Sequence, residues 1–517
     1  MAVQPVQFPS PTAHAVIQHP VYLEWAPVWK KYRDIYDGIG GFRDGTYLVA
    51  HPREWKDFTN PNPSKPTNKL LARRKLARYE NIAATILDQK RSALFKGEVT
   101  RTVGGESKTQ KTQPHPLETW WENVDGEYCS IDDWMGDAFV GAALFGHLVH
   151  YMDRPADAAP VTAADESQPF LRAYTPIDVP DWGLTDRGRL RWVRFQEAVP
   201  RTDPTTPAAT QATRERLVTE DYWQVITREN GQQSSTKGDH GFGIVPVVVQ
   251  YATRRALTQF IGQSVLGDPN LFIDLYNLTS EIRELLRAQT FGMMNVPLGT
   301  TADRVSVLEA QTMMGDEKGA ENVLFTPGPA QYIQPDTNNI TVYQDERRDL
   351  LRTIYRLAAI PWESDSKDAE AEGSLKLKRE DMNQVLASYG TECEKAEYQI
   401  AKLWFRAIYG LERWEQEWDT AQVKIAYPKT FDVTPFAEML EQSQAAVSLE
   451  MGPTFMKELR ASLVPKFLPN LTPETQAAIE KELEAAPVKS PAQQKLEEMA
   501  MRFGGTPPMA GGPGVGV

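Results

Sequence analysis

Five carboxylates crowd one short stretch of this chain. Between Trp362 and Gly373 lie Glu363, Asp365, Asp368, Glu370 and Glu372, with Lys367 as the one basic residue. Closely spaced oxygen ligands are what a hard cation such as calcium needs. The stretch lacks the glycine at the sixth position and the regular Asp/Asn rhythm of a calcium loop. A solvated loop is the other reading, the usual one for a charge run. His147 and His150 would share a metal if they lay on a helix. On the strand that Val149 and its apolar neighbours imply, a spacing of three puts them on opposite faces and makes them structural. There is no CxxC pair and no HExxH set. Gly104-Gly105-Glu106-Ser107-Lys108 lacks the spacing and the closing Gly-Lys-Ser/Thr of a phosphate loop. Gly262-Gln263-Ser264-Val265-Leu266-Gly267 is one residue too long for a nucleophile elbow. Arg73-Arg74-Lys75 with Arg78 reads as a solvated helix face, with a phosphate contact as the alternative. The expectation is a chain with no cofactor, no metal and no enzymatic chemistry.

The acidic stretch sits between two helical patterns. Before it, Thr341 and Gln344 form a capping box, and Val342, Leu350, Leu351, Ile354, Leu357 and Ala358 make an apolar stripe that Ile360-Pro361 stops. After it, a helix opens at Ser374. Met382, Leu386, Tyr389, Cys393, Ala396, Ile400, Leu403 and Ala407 then alternate spacings of four and three. This heptad seam, sustained over about 35 residues or roughly 50 Å, calls for a neighbour along its length and reads as a subunit-packing seam. Gly390, in mid-seam, is the expected bend.

Upstream, Trp25, Trp29, Tyr32 and Tyr36 predict an amphipathic helix ending at Gly38. Further helices are expected over 69–95, 131–145 and 269–291. Strands are expected over 147–152, 189–198, 217–227 and 244–251, with linkers over 154–168, 203–213 and 230–241. An insert at 292–340 carries strand-like Val323–Phe325 and Tyr332-Ile333. The C-terminal third has a strand at 423–427, then helices begun by Thr434-Pro435 and Thr472-Pro473. It closes in a Gly/Pro-rich tail, expected to be disordered. The class is α+β. With 517 residues, 41% hydrophobic and 24% charged, the composition is that of a globular protein. A net charge of −13 disfavours a surface that grips nucleic acid throughout. Two cysteines far apart in sequence do not suggest a disulfide framework, and a reducing compartment is expected. The longest uncharged apolar run, 138–152, falls short of the ~20 residues that span a bilayer. The expectation is a soluble, non-secreted chain.

Certain short patterns, taken in order, resemble those of tailed-bacteriophage portal proteins. Tyr22–Asp37 is followed by Asp44-Gly45-Thr46-Tyr47-Leu48. Arg172-Ala173-Tyr174-Thr175-Pro176-Ile177-Asp178 has Trp182 close behind, with Asp181 where the family commonly has Asn. Val245-Pro246-Val247-Val248 leads into Leu271–Arg287, and Tyr355–Pro361 resembles the end of a second stem helix. The resemblance covers most of residues 20–430. It implies an N-terminal arm (1–20), an α+β wing (21–267), stem helices (268–291 and 341–360) and a small α/β clip (292–340). A tunnel loop follows (361–373), then a long bent helix and wing return (374–430), a helical crown (431–500) and a tail (501–517). It also implies a ring, commonly of twelve subunits, at one capsid vertex of the virion, assembled in the host cytoplasm without a membrane. Double-stranded DNA passes through the centre. The partners implied are the major capsid protein, the terminase large subunit and a head–tail adaptor. Trp362, Glu363, Asp365, Lys367, Asp368, Glu370 and Glu372 then face the DNA, which like charge repels and lets slide. Another virion ring or connector component, or a DNA-processing enzyme, are the rival readings.

Overall fold

The computed structural model describes residues 17–51, 54, 68–104, 114–154, 168–199, 212–229, 232–254, 260–290, 293–297, 323–326, 331–333, 338–360, 372–429, 431 and 479. The chain divides into two compact units, 1–431 and 432–517. Of the second, Ile479 alone is described. The first is α+β.

Helix α1 (Pro20–Asp37) begins with Pro at its first position, where no N–H is missed, and with the His19 ring accepting from the Val21 N–H. It ends at Gly38 in the left-handed region. A single turn, α2 (Gly41–Asp44), follows. The one helix expected over 69–95 is two, α3 (Asn68–Leu76) and α4 (Ile82–Leu94). Asn81 makes the division. Its Oδ1 accepts from the Ala84 N–H and its Nδ2 donates to the Tyr36 carbonyl, so the backbone leaves the helix to reach both partners. Nor is Arg73 solvated. It is buried and paired with Glu54 at 2.7 Å, and it donates to the Val49 carbonyl.

Strand β1 (Thr100–Thr102) and short α5 (Pro116–Trp120) lead to α6 (Ile131–Phe145), capped by Ser130 and closed by left-handed Gly146. Strand β2 (His147–Asp153) is buried at every position. It is the centre of a three-stranded antiparallel sheet, between β3 (Phe170–Tyr174) and β9 (Val247–Tyr251). A five-stranded antiparallel meander runs β4 (Asp181–Leu184), β5 (Leu190–Glu197), β6 (Ala212–Thr219), β7 (Tyr222–Glu229), β8 (Gln232–Asp239). The expected strand over 217–227 is therefore parts of two strands, split where the Thr219 Oγ1 accepts from the Asp221 and Tyr222 N–H groups. Most of the expected linker over 230–241 is β8, paired to β7 along its length. Its sequence is polar and its side chains are nearly all exposed, so it carries no apolar alternation to announce a strand.

Strands β10 (Thr253–Arg254) and β11 (Gly262–Gln263) form a short pair ahead of α7 (Asn270–Thr290). Strands β12 (Met293–Pro297), β13 (Val323–Thr326) and β14 (Gln331–Ile333) form a small mixed sheet with β12 central. Helix α8 (Asn338–Leu357) begins before Thr341, which places the expected capping box inside the helix. It also ends short of Pro361. The Ala359 N–H donates to Arg356 and the Ile360 N–H to Tyr355, with Ala359 at φ 52, an αL closure built without glycine. The last helix, α9 (Glu372–Ala421), is broken at Gly410 (φ 71, ψ 176), and β15 (Lys424–Ala426) pairs with β1. The bend is thus at Gly410 and not at Gly390. Gly390 stays helical, and a Cβ there would meet Leu94 and Tyr427 only at ordinary van der Waals distance, so nothing at this position forces a bend.

Ala359 occupies a conformation that costs an L-residue about 1 kcal/mol or more and glycine almost nothing. Ala359→Gly is expected to raise the stability of the 1–431 unit by up to about 1 kcal/mol, the gain reduced by the extra freedom of glycine in the unfolded chain. The urea-unfolding midpoint measures it.

Candidate functional site

Helices α7 and α8 pack side by side as a hairpin whose two chain ends meet at its base, where Leu357 lies against Gly267. The base is tied to the N-terminal helices. Tyr276 donates to the Phe42 carbonyl, Asn277 exchanges bonds with Tyr47 and Val49, and Tyr32 donates to the Gly267 carbonyl. Phe272, Leu275 and Tyr276 of α7, and Leu351, Ile354 and Ala358 of α8, are buried there. Away from the base the pair is more open: Leu286 is 44% and Val342 66% exposed. The β12–β14 sheet lies in the sequence between the two helices. Trp362, Glu363, Asp365, Lys367, Asp368 and Glu370 lie outside the described residues, and Glu372 opens α9.

The seam of α9 is buried, but inside its own chain. Leu386, Tyr389, Cys393, Ala396, Ile400, Leu403 and Ala407 belong to the core, and Met382 packs against it. The neighbours along the helix are β9, α4, β15, α6 and β2. The subunit-packing role is therefore corrected: residues this enclosed have no surface left for another copy. A heptad seam and the inner face of a core helix differ by a fraction of a residue per turn, too little to separate over 35 residues or so. Glu397, Ala401, Trp404 and Phe405, all off the seam, are equally buried and widen it into a core face.

Two polar devices fasten this core. Trp134 Nε1–H donates to His150 Nδ1, which makes Nε2 the protonated nitrogen facing Gln250 Oε1. The Gln250 amide in turn donates to the Cys393 sulfur. Burial pushes His147 down to about 3 and His150 to about 4, so both are neutral, structural imidazoles. The second device is a carboxylate: Glu397 receives both Arg101 and, at 2.7 Å, the Tyr427 hydroxyl. Lys90, on α4, has no such partner among the described residues. Its Nζ lies 5.5 Å from the centre of the Tyr389 ring with no hydrogen bond to them, and burial pushes it down to about 8.

Sequence reading missed a cleft of about 490 Å³ between one face of the meander and the end of the β3–β2–β9 sheet. Arg154, Arg172, Arg214 and Arg216 line it with Asp153, Phe170 and Trp223. Arg216 is fixed by Glu197 at 2.7 Å and Asp153 at 3.1 Å. Although burial alone would raise it, Arg216, Tyr174 and Arg214 together hold the Glu197 carboxyl below its ordinary value. The signal available was the alternation Arg214-x-Arg216, which places both guanidinium groups on one face once the segment is known to be a strand. The intervening Glu215 turns to the other face and binds Arg194 and Arg228.

Among the described residues, no group of three His, Cys, Asp or Glu side chains could hold a metal ion, and no helix is long and apolar enough to cross a membrane. No protein-family model and no curated protein sequence matches this chain.

Leu386→Asp or Ile400→Asp is expected to unfold the 1–431 unit itself, at a cost above about 4 kcal/mol, because each buries an unpaired carboxylate. Glu394→Ala, off the seam, is expected to stay within about 1 kcal/mol of the parent. Thermal melts by circular dichroism compare them. Lys90→Met is expected to stabilise the chain by about 1–3 kcal/mol at pH 7, where the parent buries an unpaired ammonium. The unfolded lysine binds its proton up to about pH 10.4, the folded one only to about 8. Parental stability from this group therefore rises across that window, and the advantage of Met shrinks as pH rises through it. Denaturant midpoints of both proteins at pH 7 and pH 9.5 check the sign.

Proposed function

We propose that this chain is a tailed-phage portal protein, a ring at the unique capsid vertex through which double-stranded DNA is packaged and ejected. The observation that carries the reading is the order of parts after the α+β body. A helix leaves the body, a small three-stranded sheet follows, and a second helix returns beside the first to its base. A short acidic segment then leads into a long helix broken by a glycine. That is the stem, clip, stem, tunnel-loop and long-helix order of the family. In this reading 361–373 lines the channel and 431–500 forms the crown. The clip, within 292–340, docks the terminase large subunit and later the head–tail adaptor. The major capsid protein surrounds the wing. The protein works in the virion, needs no cofactor and hydrolyses nothing.

The correction to α9 changes how the ring is held. Its seam is used up within the subunit, so the lateral contacts fall to surfaces still open, among them the outer parts of α7 and α8. They carry charges of both signs, with Glu281, Arg283, Glu284 and Arg287 on one and Asp345, Glu346, Arg347 and Arg348 on the other, although Arg347 is already paired with Glu80 and Arg348 with Asp345. Such faces can meet opposite charge on an identical neighbour. The acidic loop supports the reading through its physics. Repeated around a ring, each carboxylate becomes a circle of negative charge that a phosphate backbone slides past without counterion release.

Electron micrographs and native mass spectrometry of the purified protein test the proposal. Rings with a central hole are expected, and particles that remain monomers or dimers at every salt concentration overturn it. Replacing Glu363, Asp365, Asp368, Glu370 and Glu372 together by Lys is expected to leave the ring intact and to add salt-dependent retention of DNA.

A further inference from the structure

The arginine-lined cleft on the meander is not used by the portal reading, and its chemistry is specific. We propose that it binds a phosphate monoester carried on a ring system, the chemistry of a nucleoside monophosphate. The inference rests on the cleft alone and stands or falls independently of ring formation.

Among the described residues, Arg154, Arg172, Arg214 and Arg216 face two carboxylates, Asp153 and Glu197. That leaves an excess of two positive charges in a chain whose net charge is −13. A carboxylate would neutralise half of this excess and occupy one guanidinium fork. A phosphate monoester carries close to two negative charges and three terminal oxygens, enough to engage two forks at once.

The hydrogen bonds point the same way. Arg216 is held on both sides and is a fixed wall. Arg214 places Nε 2.9 Å from Glu197, and Arg172 places Nε 3.5 Å from Asp153. Both Nε atoms are shielded from water, yet neither makes an aligned hydrogen bond. Their terminal nitrogens are not engaged by a carboxylate among the described residues, and Arg172 and Arg214 keep 41% and 24% of their side-chain surface. Guanidinium groups that are anchored by their stems and open at their forks are preorganised donors for an oxyanion.

Size and lining choose the remainder of the ligand. A cleft of about 490 Å³ is several times larger than one phosphate and falls in the range of small-ligand sites. Beyond the arginines its walls are Phe170, Trp223, Val225 and two threonines, Thr227 and Thr236. These suit a flat ring with few polar edges. Opposite Trp223 on β8 stands Gly238, where a side chain would collide with the indole, so the ring position of Trp223 is set by its neighbour strand.

The test is a titration of the full-length protein followed by tryptophan fluorescence and calorimetry. The probes are adenosine 5′-monophosphate, adenosine, inorganic phosphate and a duplex oligonucleotide lacking terminal phosphates. Saturable binding of the monophosphate is expected, tighter than that of either adenosine or phosphate alone. Arg214→Gln and Arg154→Gln are each expected to weaken it by about tenfold or more, the loss of a charge-assisted donor. Lys237→Gln, on the opposite face of β8, is expected to leave it unchanged. Circular dichroism establishes which variants fold, and either arginine variant suffices. No saturation up to about 10 mM overturns the proposal. So does equal binding of adenosine and its monophosphate, or an unchanged affinity in a folded arginine variant. Equal binding of inorganic phosphate removes the ring from the ligand and overturns it too. Competition by the duplex at matched phosphate concentration assigns the cleft to backbone phosphates instead and overturns it as well.

Discussion

Glu397 lies in the middle of the longest helix with none of its surface exposed, and the body is arranged around the need to satisfy it. A buried carboxylate without partners costs several kcal/mol, a large share of the net stability of a domain. Its partners come from both ends of the first unit: Arg101 from β1 and Tyr427 from just past β15, strands that pair with one another. One charge therefore holds the early strand, the late strand and the central helix in a single register. Asp132, at the start of α6, takes the remaining fork of Arg101 at 2.7 Å and brings a fourth element to the same point. Removing Arg101 leaves the buried Glu397 charge uncompensated, a loss of about 3–5 kcal/mol.

Around that point the core is aromatic. Trp120, Trp404 and Phe405 meet beside α5, while Phe139 and Tyr389 meet on the Lys90 side of α9. Rings of this size, packed tilted or edge to face, leave little room for α9 to shift along its axis. The body is thus a fixed base from which α7 leaves and to which α8 returns. The hairpin is tied to that base through Tyr276, Asn277 and Tyr32.

The meander answers a different demand. Its two faces carry opposite arrangements of the same residue types. On one, Glu215 is closed in by Arg194 and Arg228 and leaves nothing to bind with. On the other, Arg214 and Arg216 share Glu197, and Asp153, Arg154 and Arg172 from the neighbouring sheet complete an open cleft. The alternation of side chains along β6 is enough to separate a structural ion cluster from an open cationic cleft one residue away.

Some helix ends were legible from local signals: α1 stops at Gly38 and α6 fills 131–145, both as expected. Thr341 and Pro361, equally local, do not bound α8, and Asn81 divides a helix that periodicity alone joins. The stem-like helices were legible to within a turn. Periodicity also marked the buried face of α9, from Leu386 to Ala407. It did not say what would bury that face, because another copy and the chain's own β9, α4 and α6 demand the same spacing. β8 was invisible, since an edge strand with both faces wet needs hydrogen-bond partners and not apolar residues. The cleft was invisible because Arg172 comes from β3, Arg214 and Arg216 from β6 and Arg154 from just past the end of β2, and their convergence is a property of sheet order. What residues within a few positions of each other enforce, the sequence determined. What depends on which distant surface reaches a side chain first, and excludes water from it, only the tertiary structure decided.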